Sequence, residues 1–205
     1  MKSKAKIAVL VSGGGTNLQA LIDAQRDGTV KSGEITLVIS NNGTAYALTR
    51  AQNAGIPTAV VPKKDCADQS EFEGKILKLL RENNIDMIVL AGFMSILSAS
   101  FVAHYPERII NVHPSLIPSF CGEGFYGLRV HRAALEYGVK VTGATVHYVN
   151  EIPDGGKIIL QRAVEIQDGD TPEILQKRVM EQAEWKILPQ ATELVSSKIL
   201  RERTA

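Results

Sequence analysis

KIAVLVSGGGTN, residues 6–17, is the stretch that decides the fold. Residues 6–12 form an almost continuous apolar run, partly β-branched, as in a strand buried on both faces. Gly13, Gly14, Gly15, Thr16 and Asn17 turn the chain, and residues 18–24 take up helical spacing. The same rhythm repeats downstream. Residues 34–40 (EITLVIS), 57–61 and 85–91 (IDMIVLA) read as further strands. Residues 45–54, ending at Gly55, and the amphipathic segment 70–82 read as helices between them. Alternating strands and helices imply βαβ units and a parallel sheet covered on both faces.

After Asn111 the rhythm changes. Residues 141–149 (VTGATVHYV) and 157–166 (KIILQRAVEI) read as two antiparallel strands joined at Pro153-Asp154-Gly155-Gly156. Residues 127–137 read as a helix. Residues 171–188 read as a long closing helix that opens on Asp170-Thr171-Pro172-Glu173. The expected fold is a single α/β domain, residues 1–205. Its open mixed sheet has a mostly parallel, Rossmann-like first part, antiparallel last strands and helices on both faces.

Bulk properties narrow the function. The chain has 205 residues, with 23 basic against 22 acidic side chains, so no broad basic field for nucleic acid is expected. No segment reaches the roughly 20 apolar residues of a membrane span. Met1-Lys2-Ser3-Lys4 leads straight into the first strand without a signal-peptide apolar region. Cys66 and Cys121, the two cysteines, lie in dissimilar loops and do not suggest a disulfide framework. The expectation is a cytoplasmic, disulfide-free protein that binds neither nucleic acid nor membrane, as a monomer or weak homodimer.

The glycine loop brings backbone N–H groups and a helix N-terminus toward one point, which suits a phosphate. No Lys-Ser/Thr follows, so it is not a Walker A loop. Leu18 stands where a dinucleotide loop has its third glycine, and strand two ends in Asn41-Asn42 rather than an acid. A plain Gly-rich turn without ligand is the other reading. In INVHPSLIPSF, residues 110–120, Asn111 and His113 lie two apart at a strand end and so face the same side. An amide donor beside a titratable ring suits a reaction in which a carbonyl oxygen gains charge while a proton moves. His104 reads as exposed, His131 as helical, and His147 as a structural or supporting group on a strand. Asp154 is either a common Asp-Gly turn residue or a carboxylate brought over the sheet end to His113, where it would raise the ring's pKa and fix its orientation. No ligand cluster for a metal is evident.

Together KIAVLVSGGGTNLQALI (6–22), IVLAGFMSIL (88–97), INVHPSLIPSF, VTGATVHYV and DGGKIILQ (154–161) resemble the folate-dependent phosphoribosylglycinamide formyltransferases over nearly the whole chain. The resemblance implies that 10-formyltetrahydrofolate gives its formyl group to the amine of glycinamide ribonucleotide, in purine biosynthesis, without a metal. It implies Asn111, His113 and Asp154 as catalytic residues. It assigns Gly15, Thr16, Asn17 and Glu184 (in AEWKILP, 183–189) to the ribonucleotide. Met94, Ser95, Ile96, Leu97, Asn111 and Val149 fall to the folate. Residues 1–110 would form the phosphate-binding half, and residues 85–190 the folate and catalytic half.

The chain departs from the family at two positions. Ser95 and Gln69 stand where the family often carries arginine, which removes positive charge near the acidic folate tail and points to Lys63 or Lys64 instead. The segment 119–130 (SFCGEGFYGLRV) is longer than in shorter members and reads as a lid or a surface insertion. A formyltetrahydrofolate hydrolase would add an N-terminal domain and a methionyl-tRNA formyltransferase a C-terminal one. A non-catalytic sensor of phosphosugars or folates on the same scaffold is the alternative from another class.

Overall fold

A computed structural model describes residues 4–204. Residues 1–3, read above as a lead-in without a signal peptide, lie outside the described residues, as does Ala205. Seven strands form one sheet: β1 (Ala5–Val11), β2 (Gly33–Ser40), β3 (Thr58–Val60), β4 (Met87–Leu90), β5 (Ile109–His113), β6 (Val141–Tyr148) and β7 (Ile158–Glu165). Their spatial order is β3-β2-β1-β4-β5-β6-β7. The first five in chain order run parallel, and β6 and β7 are antiparallel additions, as the sequence predicts.

Strand alternation divides the core between the two faces. Ile7, Val9 and Val11 of β1 pack against α1 (Thr16–Arg26), α2 (Tyr46–Asn53) and the C-terminal helices. Ala8 and Leu10 join Phe72, Ile76 and Leu80 of α3 (Gln69–Glu82), with Phe101 of the short α4 (Ala99–Val102). Burial on both faces is why β1 and β4 read as unbroken apolar runs. Sheet growth reverses direction between β1 and β4, which opens a crevice at the strands' carboxyl ends.

The structure adds one helix and revises another. α4 escapes the sequence reading because it is one turn long; the Ser98 side chain caps it by accepting from Phe101 N–H. The closing helix is not residues 171–188. It comprises α6 (Pro172–Val179), a π turn at Met180–Glu184, and α7 (Trp185–Glu202), with α5 (Leu128–Tyr137) before β6. Proline cannot donate to a helical ladder, so Pro189 marks a natural stop. The helix nevertheless continues through it, because Leu188, Ala191, Val195 and Ile199 keep one apolar face buried against the sheet. Among the described residues no helix is long and apolar enough to cross a membrane.

Candidate active site

The end of β5 builds the polar centre. Asn111 and His113 project to the same side, and the antiparallel register sets His147 of β6 opposite Asn111. Between β6 and β7 the chain folds back on itself. A Cβ at Gly156 would lie 1.7 Å from the Tyr148 carbonyl oxygen, so only glycine permits this approach. The fold-back carries Asp154, in the left-handed region at φ 56°, over the end of β5. Its Oδ2 lies 3.3 Å from His113 Nδ1, and its Oδ1 accepts from Asn111 Nδ2 at 3.4 Å. His147 supports the group from below. Its Nδ1–H donates to the Tyr148 carbonyl at 2.8 Å, and its Nε2 lies 3.2 Å from Asn111 Nδ2 and 3.5 Å from Asp154 Oδ1. The Asn111 contacts are long for N–H bonds, so the amide is free to turn a hydrogen toward an oxygen in the crevice.

The segment after β5 closes this centre. His113 Nε2–H donates to the Phe120 carbonyl at 2.9 Å, and Gly122 N–H donates to Asp154 Oδ2 at 2.9 Å. Both nitrogens of His113 therefore face acceptors, and a second proton at Nδ1 would complete the pair with Asp154. Burial opposes that proton and holds the ring's pKa below the ordinary histidine range, against the pull of Asp154 and the Phe120 carbonyl. Burial alone would raise the Asp154 carboxyl. The His147 contact, the nearby His113 and the Gly122 N–H outweigh it and keep the group ionised below the ordinary range.

Gly13, Gly14 and Gly15 join β1 to α1. Gly15 is left-handed at φ 73°, and an added Cβ would meet Ala47 Cβ at 2.6 Å, so backbone and packing both demand glycine. At Gly13 and Gly14 an added Cβ would meet open space, and neither has positive φ. The protein itself does not require glycine there; a ligand approaching the backbone would. Asn17 Nδ2 donates to Glu184 Oε2 at 2.7 Å, and Thr16 touches Met180 through its hydroxyl, so the π turn meets the first turn of α1. Glu184 is buried, and burial raises its carboxyl pKa against the Asn17 hydrogen bond.

A cavity of about 600 Å³ is lined by Asn17 and Glu184 as well as by Asn111, His113 and Asp154. Met94 and Ile96, both exposed, line it too. A narrower slot of about 120 Å³ opens beside Asn111, between Ser95, Ile96 and Leu97 on one side and Val149, Asn150 and Ile152 on the other. The slot's outer wall is anchored by hydrogen bonds. Met94 N–H donates to Ser12 Oγ, Asn41 to Ser95 Oγ, Gln69 to the Ile96 carbonyl and Ser98 N–H to the buried Glu73.

Of the residues singled out in the sequence, Asn17, Met94, Ile96, Asn111, His113, Asp154 and Glu184 line one cavity, Ser95, Leu97 and Val149 line the slot beside it, and Gly15 and Thr16 lie outside both linings. Other contributors were missed. Phe120 and Gly122 act through backbone atoms, which leave no mark in a sequence. The supporting place expected for His147 holds, but its contact with Asn111 follows only from strand register. His131 lies in α5, the helix its segment predicts. It lies fully buried with neither ring nitrogen hydrogen-bonded, and burial pushes its pKa down to about 4. Both cysteines are free, and among the described residues no group of three or more His, Cys, Asp or Glu is placed to hold a metal.

Residues 5–192 match the formyl transferase family. The phosphoribosylglycinamide formyltransferase of Haemophilus influenzae is 44% identical over 184 residues, covering 90% of this chain and 84% of that protein. The trifunctional purine biosynthetic protein adenosine-3 of Homo sapiens is 48% identical over 196 residues; this chain spans only 19% of that protein's length. A glycinamide ribonucleotide transformylase from Symbiobacterium toebii superposes with a TM-score of 0.89 at 39% identity, covering 95% of this chain and 89% of that one. The chain therefore belongs to the formyl transferase family, among its phosphoribosylglycinamide formyltransferases.

Proposed function

We propose that the chain transfers the formyl group of 10-formyltetrahydrofolate to the amine of glycinamide ribonucleotide, giving the N-formyl ribonucleotide and tetrahydrofolate. The observation that carries this reading is the meeting of Asn111, His113 and Asp154 in one cavity, with Asn17, which follows the glycine loop, in its wall and an apolar slot beside Asn111. The ribonucleotide phosphate rests on Gly15, Thr16 and Asn17, with Glu184 beside Asn17. The pterin enters the slot between Met94–Leu97 and Val149. Residues 1–110 thus serve mainly the ribonucleotide, and residues 85–190 the folate and the chemistry.

The substrate amine attacks the formyl carbon, and the carbonyl oxygen becomes negative. Asn111 Nδ2 and His113 Nε2–H are the donors for it; the Phe120 carbonyl now occupies the place against Nε2 that this oxygen would take. A new carbon–nitrogen bond forms to the amine, and the bond to the folate nitrogen breaks. The amine gives up one proton and the departing folate nitrogen gains one, with His113 and Asp154 as the relay. General acid–base help of this kind contributes about 10²–10⁴-fold, and one oxyanion donor about 10²–10³-fold.

Mixing the protein with 10-formyltetrahydrofolate and ribonucleotide, and following folate absorbance, tests the proposal. Formyl transfer that requires the ribonucleotide is the expected result. Turnover without it would instead make the chain a hydrolase, and binding without turnover would make it a sensor.

A further inference from the structure

The cradle just assigned to the phosphate contains no lysine, and its peptide planes are set from outside by α2. In a trans peptide unit the C=O and the following N–H point in opposite directions. The Gly13 carbonyl accepts from Ala47 N–H at 3.1 Å, so the Gly14 N–H turns away from α2. The Gly14 carbonyl accepts from Arg50 Nε at 2.9 Å, so the Gly15 N–H turns away as well. The Gly15 carbonyl accepts from Gln19 N–H inside α1, which sends the Thr16 N–H out past the helix start. Among the described residues, none of these three N–H groups has an acceptor. They form a run of donors around the open space beside Gly13 and Gly14, the arrangement that cradles an anion.

Arg50 holds this run in a second way. Its Nη1 donates to Gln19 Oε1 at 3.2 Å, and its guanidinium lies 5.0 Å from the centroid of the Tyr46 ring. One side chain thus ties α2, the glycine loop and α1 together. We infer that Arg50 is a positioning residue for the ribonucleotide phosphate: its Nε–H orients the Gly14–Gly15 peptide so that the loop's N–H groups converge on the phosphate. This inference rests on the proposed function. It assigns Arg50 a directional hydrogen bond rather than a charge as its main contribution.

Side-chain chemistry separates the two contributions. The Arg50→Gln substitution puts an amide nitrogen at the place of the arginine Nε and keeps a neutral donor there. The Arg50→Lys substitution keeps the charge but puts a methylene at that place. Kinetics would be measured for wild type, Arg50→Ala, Arg50→Gln and Arg50→Lys, on glycinamide ribonucleotide and on its dephosphorylated riboside. The preference for the phosphorylated substrate, as a ratio of kcat/KM values, should fall about tenfold in Arg50→Ala, as for loss of one hydrogen bond to the loop. Arg50→Gln should recover most of it and Arg50→Lys little, while folate KM and kcat stay near wild type. Recovery by lysine rather than glutamine would overturn the inference, as would equal losses on both substrates or an unchanged preference in Arg50→Ala. A wild-type enzyme with no preference for the phosphorylated substrate would overturn the phosphate-loop reading itself.

Discussion

The Asp154 carboxylate lies 3.3 Å from Nδ1 of His113, with 13% and 5% of the two side chains exposed. Neither residue is near the other in the chain; the Gly155-Gly156 fold-back makes the pair. Asp154 is ionised, and His113 is held largely neutral by burial while facing two acceptors. A negative oxygen developing beside such a ring would favour its protonation against burial, and this is the moment at which the proposed transfer calls for it.

Removing any of the three central groups should therefore affect turnover rather than folding. Asn111→Ala should reduce kcat by about 10²–10³-fold, and His113→Ala by about 10²–10⁴-fold. Asp154→Asn, which preserves the shape of the turn, should also cost orders of magnitude. Steady-state kinetics with thermal unfolding as a control would check this. Near-normal turnover in His113→Ala would show the proton chemistry to be misassigned.

Within the glycine loop, adjacent substitutions should behave differently. Gly14→Ala places its methyl in open space and should raise the ribonucleotide KM with little change in melting temperature. Gly15→Val should weaken ribonucleotide binding more than folate binding. It should also lower the melting temperature, because the left-handed backbone and Ala47 both oppose a side chain. Calorimetry and separate titrations of the two substrates would distinguish these effects.

His131 predicts an acid-sensitive fold. Its pKa is about 4 in the folded chain and about 6.5 unfolded. Above pH 7 both states carry a neutral ring and the group is without effect. As pH falls below 6.5 the unfolded chain takes up a proton that the folded chain refuses, so stability falls, by about 3 kcal/mol at pH 4. Chemical denaturation of wild type and His131→Leu across this range should show the variant with a flatter profile. Parallel profiles would mean that another group controls the acid response.

The folate tail should be held loosely. Gln69 is committed to Glu73 and the Ile96 carbonyl, and Ser95 to Asn41. Among the described residues, Lys63 is the one cation lining the groove of about 510 Å³ beside them. Lengthening the glutamate tail should therefore lower the folate KM by only a few-fold, as expected of one exposed charge pair. Lys63→Ala should abolish that gain. A strong tail dependence that survives Lys63→Ala would place the tail elsewhere.

Much of this architecture was legible before any coordinates. The apolar runs at residues 6–12 and 85–91 report burial on both faces, and the change of rhythm after Asn111 reports the switch to antiparallel pairing. The joint placement of Asn111 and His113 follows from their spacing alone. Bringing Asp154 to His113 required the resemblance, because Asp-Gly turns are common and proximity across a sheet end has no local signature. The π turn before α7, the backbone roles of Phe120 and Gly122, and the grip of Arg50 on the Gly14 carbonyl were not legible. Each depends on main-chain direction or on packing between elements, which residue identity does not encode.

A structure of the ternary complex with glycinamide ribonucleotide and a non-transferable formyl-folate analogue tests the central claim most directly. The formyl oxygen should lie within hydrogen-bond reach of Asn111 Nδ2 and His113 Nε2, with the Phe120 carbonyl displaced and the phosphate on the N–H groups of Gly14, Gly15 and Thr16. A formyl carbon bound out of reach of both side chains, with the His113–Phe120 contact still in place, would contradict the account.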